Sequence, residues 1–233
     1  MIHLNGVAQK IGMMFPGINL WVAVAMLRTS SELVRYDIEA TDGRIGSLQD
    51  LLFDDQTWKI RSIVVNTGGF LIHHEVLIDP TSVSAIKSPE ETLVLSISKH
   101  EVERAPELET SPPVSRQVAG EPHDAHLRST NETCSYSVSA VDAEMGKVHG
   151  FVIETATWTI RYLVVDTGEW LMGKLVLLGA DAIDAIDWPG RTMRANVTAD
   201  AIRHSPVYDE RSELNRDYEA FLHDYYGWPH YWL

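Results

Sequence analysis

The sequence has few cysteines and few basic residues, and each scarcity excludes a class of protein. Cys134 is the single cysteine, so the chain can form neither an intramolecular disulfide nor a CxxC-type zinc site. This content is typical of a reducing compartment, and we expect a cytoplasmic protein. Lysine and arginine number 19 against 33 aspartate and glutamate residues, for a formal net charge of -14 at pH 7. Such a charge repels phosphate backbones and anionic lipids, so nucleic acid is not an expected partner.

Residues 11–27 form an ambiguous apolar stretch of 17 residues without charge. The stretch contains Pro16 and Asn19 and is shorter than the roughly 20 residues that a membrane helix needs, so direct membrane insertion is not expected. Three readings stay open. Met26 is the true start of the protein, or the stretch is a leader or membrane anchor that would make the protein membrane-associated, or it is an arm that packs or stays disordered.

An internal repeat is the strongest signal in the sequence. Residues 36–106 align with residues 136–206 at a constant offset of 100, and 20 of the 71 aligned positions are identical. The identities fall at turn glycines, in apolar runs and at one tryptophan, which are positions that a backbone shape constrains. They include Asp42, Gly46, Trp58, Arg61 and Gly68 in the first copy and Asp142, Gly146, Trp158, Arg161 and Gly168 in the second. We interpret these positions as structural.

The pattern within each copy predicts short strands and one closing helix. In the first copy, residues 45–53 and 58–65 form a hairpin, and strands over 75–78, 83–87 and 92–97 follow. Ser98 and Glu101 fit a capping box, which predicts a short helix over 99–104. The predicted fold class is all-β, with two small, strongly bent antiparallel sheets or barrels in tandem.

The segments outside the repeats complete the predicted organisation: an N-terminal arm over 1–35, a polar linker over 107–135 and an aromatic tail over 207–233. A unit of this size buries only about 60% of its unfolded surface. The two repeats should therefore pack together, or onto copies from another chain in a homodimer.

The tail holds eight of the 20 aromatic residues of the chain. Ser212 or Asn215 is predicted to cap a helix that Gly227 ends. One reading is that this helix and the residues after it seal the barrels. The other is that the tail is an exposed anchor for a partner protein, because tryptophan and tyrosine dominate binding hot spots. The candidate partner-binding residues are Tyr225, Tyr226, Trp228, Tyr231 and Trp232.

Two stretches in each copy carry a family resemblance. They are YDIEATDGRIG (36–46) and WKIRSIVVNTG (58–68) in the first copy, and Asp142, Gly146 and WTIRYLVVDTG (158–168) in the second. Both copies resemble the PRC-barrel domain. The whole chain resembles bacterial tandem PRC-barrel proteins, including the aromatic ending YYGWPHYW (225–232).

The resemblance implies two PRC-type β-barrels and a scaffold or adaptor that binds other proteins. It also implies a chain start close to Met26. The family takes its name from the cytoplasmic domain of the H polypeptide of the photosynthetic reaction centre. An H-like accessory component of a photosynthetic or electron-transfer membrane complex is therefore the alternative function, although this chain has two barrels and no clear membrane span.

A search for chemistry finds no constellation that the duplication preserves. No histidine is retained at equivalent positions of the two copies. His73 and His74 support only a minor alternative, a metal- or histidine-dependent enzyme. We expect no catalytic residue, no cofactor and no metal site.

Three further groups of residues have structural readings. Asp54, Asp55 and Asp79 lie at predicted turns, with a cation site as the alternative. Arg61 and Arg161 are expected to bridge to Asp42 and Asp142 and so fix strand register, with contact to a ligand carboxylate as the alternative. Trp58 and Trp158 are expected to cap the barrels or to lie between them. The function predicted from all of this is a non-enzymatic protein-interaction module whose partner is unknown.

Overall fold

The computed structural model describes residues 27–68, 74–118, 124–168, 173–212 and 214–233. Residues 1–26, which carry most of the ambiguous apolar stretch, lie outside these ranges. The described chain consists mainly of strands, so the all-β prediction is confirmed.

The first half of the described chain contains β1 (Leu27–Thr29), α1 (Ser30–Leu33), β2 (Asp37–Ala40), β3 (Gly43–Asp54), β4 (Ile60–Asn66), β5 (Glu75–Ile78), β6 (Val83–Lys87), β7 (Thr92–Leu95) and α2 (Lys99–Glu103). The second contains β8 (Leu127–Ser129), α3 (Thr130–Thr133), β9 (Ser137–Ser139), β10 (Glu144–Glu154), β11 (Thr159–Asp166), β12 (Leu175–Gly179), β13 (Ile183–Asp187), β14 (Thr192–Ala195) and α4 (Ala199–Arg203). Helix α5 (Arg216–Tyr226) follows in the tail. The predicted closing helices are α2 and α4, and the capping box of Ser98 and Glu101 is present.

The strands form two seven-stranded sheets of the same topology. Their hydrogen-bonded orders are β5-β4-β3-β2-β7-β6 and β12-β11-β10-β9-β14-β13. The pairs β2–β7 and β9–β14 are parallel, so each predicted antiparallel sheet is in fact mixed. Within the described residues neither sheet closes into a hydrogen-bonded ring.

Bulges recur at equivalent places in the two long central strands. In β3 the register against β4 shifts between Leu48 and Asp50 and again after Leu52. In β10 the register against β11 shifts at the same two places, 100 residues later. Because a bulge bends its strand and increases its twist, the two sheets curve in the same way.

The strand that precedes each repeat joins the sheet of the other repeat. Strand β1 pairs with β10, and β8 pairs with β3, both antiparallel. Helices α1 and α3 follow these strands and contact β10 and β3, respectively. The structure thus places β8 and α3 inside the segment 107–135 that was predicted to be a linker. It also places β1 and α1 inside the predicted arm 1–35.

One apolar core runs through both sheets. It includes Leu33, Ile63 and Leu93 of the first repeat together with Val138 and Leu163 of the second, all fully buried. The rings of Phe53 and Phe151 lie 5.7 Å apart in this core. The two units therefore share their main hydrophobic contact, as expected for repeats too small to be stable alone.

Candidate functional site

Asp42 and Asp142 cap the helices that close the repeats. The Oδ1 atom of each accepts a hydrogen bond from the first backbone N–H of α2 or α4, at 2.8 and 2.7 Å. Each carboxylate satisfies an N–H that has no partner within its helix. Helix capping thus explains why both repeats have an aspartate at this position.

Arg61 and Arg161 pair with the acid that ends the preceding strand. Arg61 lies 3.2 Å from Asp54, and the Nε of Arg161 donates to Glu154 at 3.0 Å. The expected bridges to Asp42 and Asp142 are therefore wrong. An ion pair does link neighbouring strands in each repeat. Its acidic residue is aspartate in the first copy and glutamate in the second, so a search for identical residues does not find it.

The retained glycines allow close backbone approach and tight turns. A Cβ atom at Gly46 or Gly146 would lie 2.0 Å from a carbonyl oxygen of β4 or β11. Gly68 and Gly168 follow these strands, and each N–H donates to the side chain two residues earlier, at 2.9 and 2.8 Å. The four glycines are structural.

Trp58 and Trp158 lie where the two repeats meet. Their exposed fractions are 7% and 9%, and both backbones adopt the left-handed region, with φ of 57° and 50°. The Trp58 ring stacks on Phe53 with centroids 5.5 Å apart. The structure thus favours the reading in which these tryptophans belong to the contact between repeats.

A surface groove lies at this contact, and we call it the inter-repeat groove. It has a volume of about 420 Å³ and is lined on one side by β13 and Trp188. The other side is formed by Asp55, Trp58, His126 and Arg128 of the turn after β3 and the approach to β8. The groove exists because β8 crosses to the first sheet and brings its arginine beside the second.

Charged groups in the inter-repeat groove are held in fixed positions. Asp55 accepts from the Nε of Arg128 at 2.7 Å, and His126 Nδ1 lies 2.8 Å from the same carboxylate. The Arg128 guanidinium lies 3.9 Å from the Trp188 ring centroid. Asp55, which was predicted only to lie in a turn, thus also holds His126 and Arg128 in position.

The other two aspartates at predicted turns, Asp54 and Asp79, do cap those turns. They accept hydrogen bonds from the N–H groups of Thr57 at 2.9 Å and Thr81 at 2.8 Å.

The first repeat has no matching groove chemistry. Ser88 occupies the position of Trp188, and Arg28, the counterpart of Arg128, donates a hydrogen bond to it. The exposed positions of β13 carry Asp184 and Asp187, where β6 carries serine and lysine. A comparison of identities alone misses this groove, because Asp184 and Trp188 differ from their counterparts Ser84 and Ser88.

A scan against protein families matches residues 27–102 to the PRC-barrel domain. The first repeat is a PRC-barrel domain. The match begins at the first residue of β1, nine residues before the predicted repeat, and therefore includes the exchanged strand. It does not extend to the second repeat, whose sheet nevertheless has the same strand order. No curated protein matches the chain.

The tail packs on the outer face of the second repeat. Helix α5 begins at the Asn215 cap, whose side chain accepts from the N–H of Tyr218 at 2.9 Å, and ends at Gly227 with φ of 70°. Leu222 is fully buried against a cluster formed by Val152, Tyr162, Val164 and Leu177. The corresponding face of the PRC-barrel domain is instead covered by Leu108 and Leu127. The tail thus seals one sheet rather than both.

The candidate partner-binding aromatics of the tail mainly contact one another and the second repeat. Tyr226 and Trp228 stack with centroids 4.2 Å apart, and Tyr231 and Trp232 meet edge to face at 4.9 Å. Tyr225 is more exposed, and its hydroxyl donates to a carbonyl of α4 at 2.6 Å. This arrangement favours the sealing reading over an exposed anchor.

A buried polar network lies beneath the tail. Glu219 is 1% exposed and accepts from the hydroxyls of Tyr162 and Tyr231 at 2.8 and 2.6 Å. The guanidinium of Arg216 lies 2.8 Å from the second oxygen of this carboxylate. Burial raises the pKa of both tyrosines, so they stay protonated donors.

His74, one of the two histidines of the minor enzyme alternative, contacts a hydroxyl and a carboxylate. His74 Nδ1 lies 3.0 Å from the Thr67 hydroxyl, and its Nε2 lies 3.2 Å from Glu107. His73 lies outside the described residues. In the part of the chain that the structure describes, no group of three or more His, Cys, Asp and Glu side chains is placed to hold a metal ion.

Among the described residues, no helix is long and apolar enough to span a membrane.

Proposed function

We propose that this protein is a non-enzymatic interaction module of the cytoplasm, and that its inter-repeat groove holds an extended, basic segment of a partner protein. The observation that carries the proposal is an edge strand, β13, lying directly beside a groove that contains a tryptophan. Strand addition to a sheet edge supplies backbone hydrogen bonds, and an adjacent pocket reads alternate side chains.

The edge of β13 is available for such pairing. This strand ends the second sheet, with β14 on one side and, among the described residues, no strand on the other. An unpaired strand edge is a ready template for another strand. Native proteins usually protect such an edge, and here it borders a concave surface instead.

The charges around the groove indicate a basic partner segment. Asp187 is exposed on β13, and its carboxylate accepts from the N–H of Gly190 in its own turn at 3.1 Å. Asp184 pairs with Arg194 in the open, at 3.0 Å, where such a pair contributes little. Arg128 is neutralised by Asp55. A segment with alternating lysine and apolar residues would match this edge and place an apolar side chain against Trp188.

The test uses synthetic peptides of alternating lysine and valine, with a glutamate-valine peptide of equal length as control. Fluorescence polarisation should show saturable binding of the basic peptide only. Trp188→Ser, which installs the residue of the first repeat, should weaken binding at least fivefold, in line with the loss of a buried aromatic hot spot. Hydrogen exchange of the outward amides of β13 should slow in the complex.

A matched control comes from the equivalent strand of the first repeat. Ser84→Asn on β6 should leave the affinity unchanged, whereas Asp184→Ser with Asp187→Lys should weaken binding and reduce its salt dependence. Equal binding of the acidic and basic peptides, or full affinity in the Trp188→Ser variant, would contradict the proposal.

A further inference from the structure

A second cavity lies under the aromatic tail, and we call it the tail pocket; it shares Trp58 with the inter-repeat groove. Its volume is about 310 Å³, at the lower end of the range for small-molecule sites. Its main lining residues are Trp58, Arg161, Asp181, Asn196, Trp228 and Tyr231. Both repeats and the tail contribute, so the pocket exists only in the assembled chain.

The aromatic walls of the tail pocket are fixed by contacts outside it. Trp58 stacks on Phe53, and Trp228 stacks on Tyr226. Trp228 also packs over Gly179, where an added Cβ atom would lie 3.2 Å from the ring. A site whose walls are already in place loses little conformational entropy when a ligand binds.

The polar groups of the pocket divide into those that are paired within the protein and those that are open to solvent. The Arg161 guanidinium is paired with Glu154 and lies 4.0 Å from the Tyr231 ring centroid, so its charge is already compensated. Asp181 and Asn196 are exposed at the edge of the pocket, and among the described residues neither side chain has a hydrogen-bond or ion-pair partner. The pocket therefore offers an uncompensated negative charge and a free amide beside aromatic rings.

We infer that the tail pocket binds a flat aromatic amine, with its ammonium group at Asp181 and its ring against Trp58 and Trp228. Aromatic walls favour a flat ring and attract a cation. The amide of Asn196 can bond to a ring N–H or ring nitrogen. An anionic ligand is disfavoured, because Asp181 would repel it while Arg161 is already paired.

Three probes that share one ring system but differ in charge test this inference. Isothermal titration calorimetry of the full chain should show saturable one-to-one binding of tryptamine. Neutral indole should bind at least fivefold more weakly, and indole-3-acetate should not bind. Asp181→Asn should reduce the affinity for tryptamine to that for indole and leave indole binding unchanged.

A filling variant locates the site. Ala182 lines the pocket and is 3% exposed, so Ala182→Leu should abolish binding of both tryptamine and indole. If that variant fails to fold, Asn196→Ala, which should weaken tryptamine binding, replaces it. Asp184→Asn and Trp188→Ser are controls that should not change tryptamine binding. Absence of saturable binding by tryptamine, or tryptamine binding that withstands both Asp181→Asn and the pocket variant, would overturn the inference.

Discussion

Lys59 and Thr159 lie opposite each other in an antiparallel bridge, although they occupy the same position in the two repeats. Around this bridge the N–H of Ile60 donates to the carbonyl of Trp158, and the N–H of Ile160 donates to that of Trp58, both at 2.8 Å. A contact in which equivalent residues exchange identical bonds is the contact of a two-fold symmetric dimer. The chain therefore resembles a covalently joined two-fold dimer, in which a PRC-barrel domain and a second sheet of the same strand order exchange one strand each.

The strand exchange predicts that the two halves stay together when the chain is cut between them. A protease site inserted after Val118, which is 66% exposed, would separate a fragment containing β1 from one containing β8. Each fragment carries a strand of the other's sheet, and the two share one core, so the cut protein should elute as a single species at the volume of the intact chain. Separation of the fragments without denaturant would contradict the exchange.

Replacement of a retained glycine by alanine should lower the unfolding free energy by very different amounts at two positions. In Gly146→Ala the new Cβ would meet the Asp166 carbonyl at 2.0 Å, and the φ of +153° adds strain, so we expect a loss of about 3 kcal/mol in unfolding free energy. Gly168→Ala has open space and only the left-handed φ of +54° to accommodate, for a loss of about 1 kcal/mol. Urea unfolding measures both, and equal losses would refute the close approach.

Much of this fold could be predicted from the sequence because the repeat alignment marks what the backbone constrains. Strands predicted over 75–78 and 83–87 agree with β5 and β6, and the capping box marks the start of α2. The tail helix was predictable from its cap at Asn215 and its αL glycine at 227. These features depend on local chemistry, which a sequence records directly.

The exchange of β1 and β8 could not be predicted, because a three-residue strand carries no information about which sheet it joins. Arg28 and Arg128 are also identical at the offset of 100, but they lie outside the aligned range, so the alignment did not mark these strands. The inter-repeat groove depends on this exchange and on Trp188, which differs from its counterpart Ser88. The proposed function rests on residues at which the copies differ, whereas the alignment marks the residues that they share.

Two adjacent residues of the tail helix test whether the tail seals the second repeat. Leu222 is fully buried on α5, whereas Phe221 is 61% exposed. Leu222→Ala should lower the unfolding free energy by about 3 kcal/mol, the typical cost of truncating a buried leucine. Phe221→Ala should change it by less than about 0.5 kcal/mol. Similar small effects at both positions would show that the helix does not stabilise the sheet beneath it.

The environment of His223 predicts that the tail contact weakens in acid. This histidine is 6% exposed, its Nδ1 lies 2.8 Å from the carbonyl of Pro229 and its Nε2 lies 2.8 Å from the hydroxyl of Tyr162. Burial lowers its pKa below the ordinary value of 6.5; the hydrogen bond to the Pro229 carbonyl and the charge of Glu219 oppose this shift, and His230 and Arg216 add to it. The unfolded chain therefore binds the proton more readily than the folded one.

It follows that the contribution of His223 to stability is complete above pH 6.5 and is lost as the pH falls through the folded-state pKa. Urea unfolding at pH 7.5 and 5.5 should show that His223→Gln removes part of the acid-induced loss that the wild-type protein undergoes. His204→Gln is the matched control, because its side chain is 65% exposed and its removal should leave the pH dependence unchanged. If the difference between wild type and His223→Gln is the same at both pH values, proton binding at His223 is not linked to unfolding, and the acid sensitivity must come from other groups.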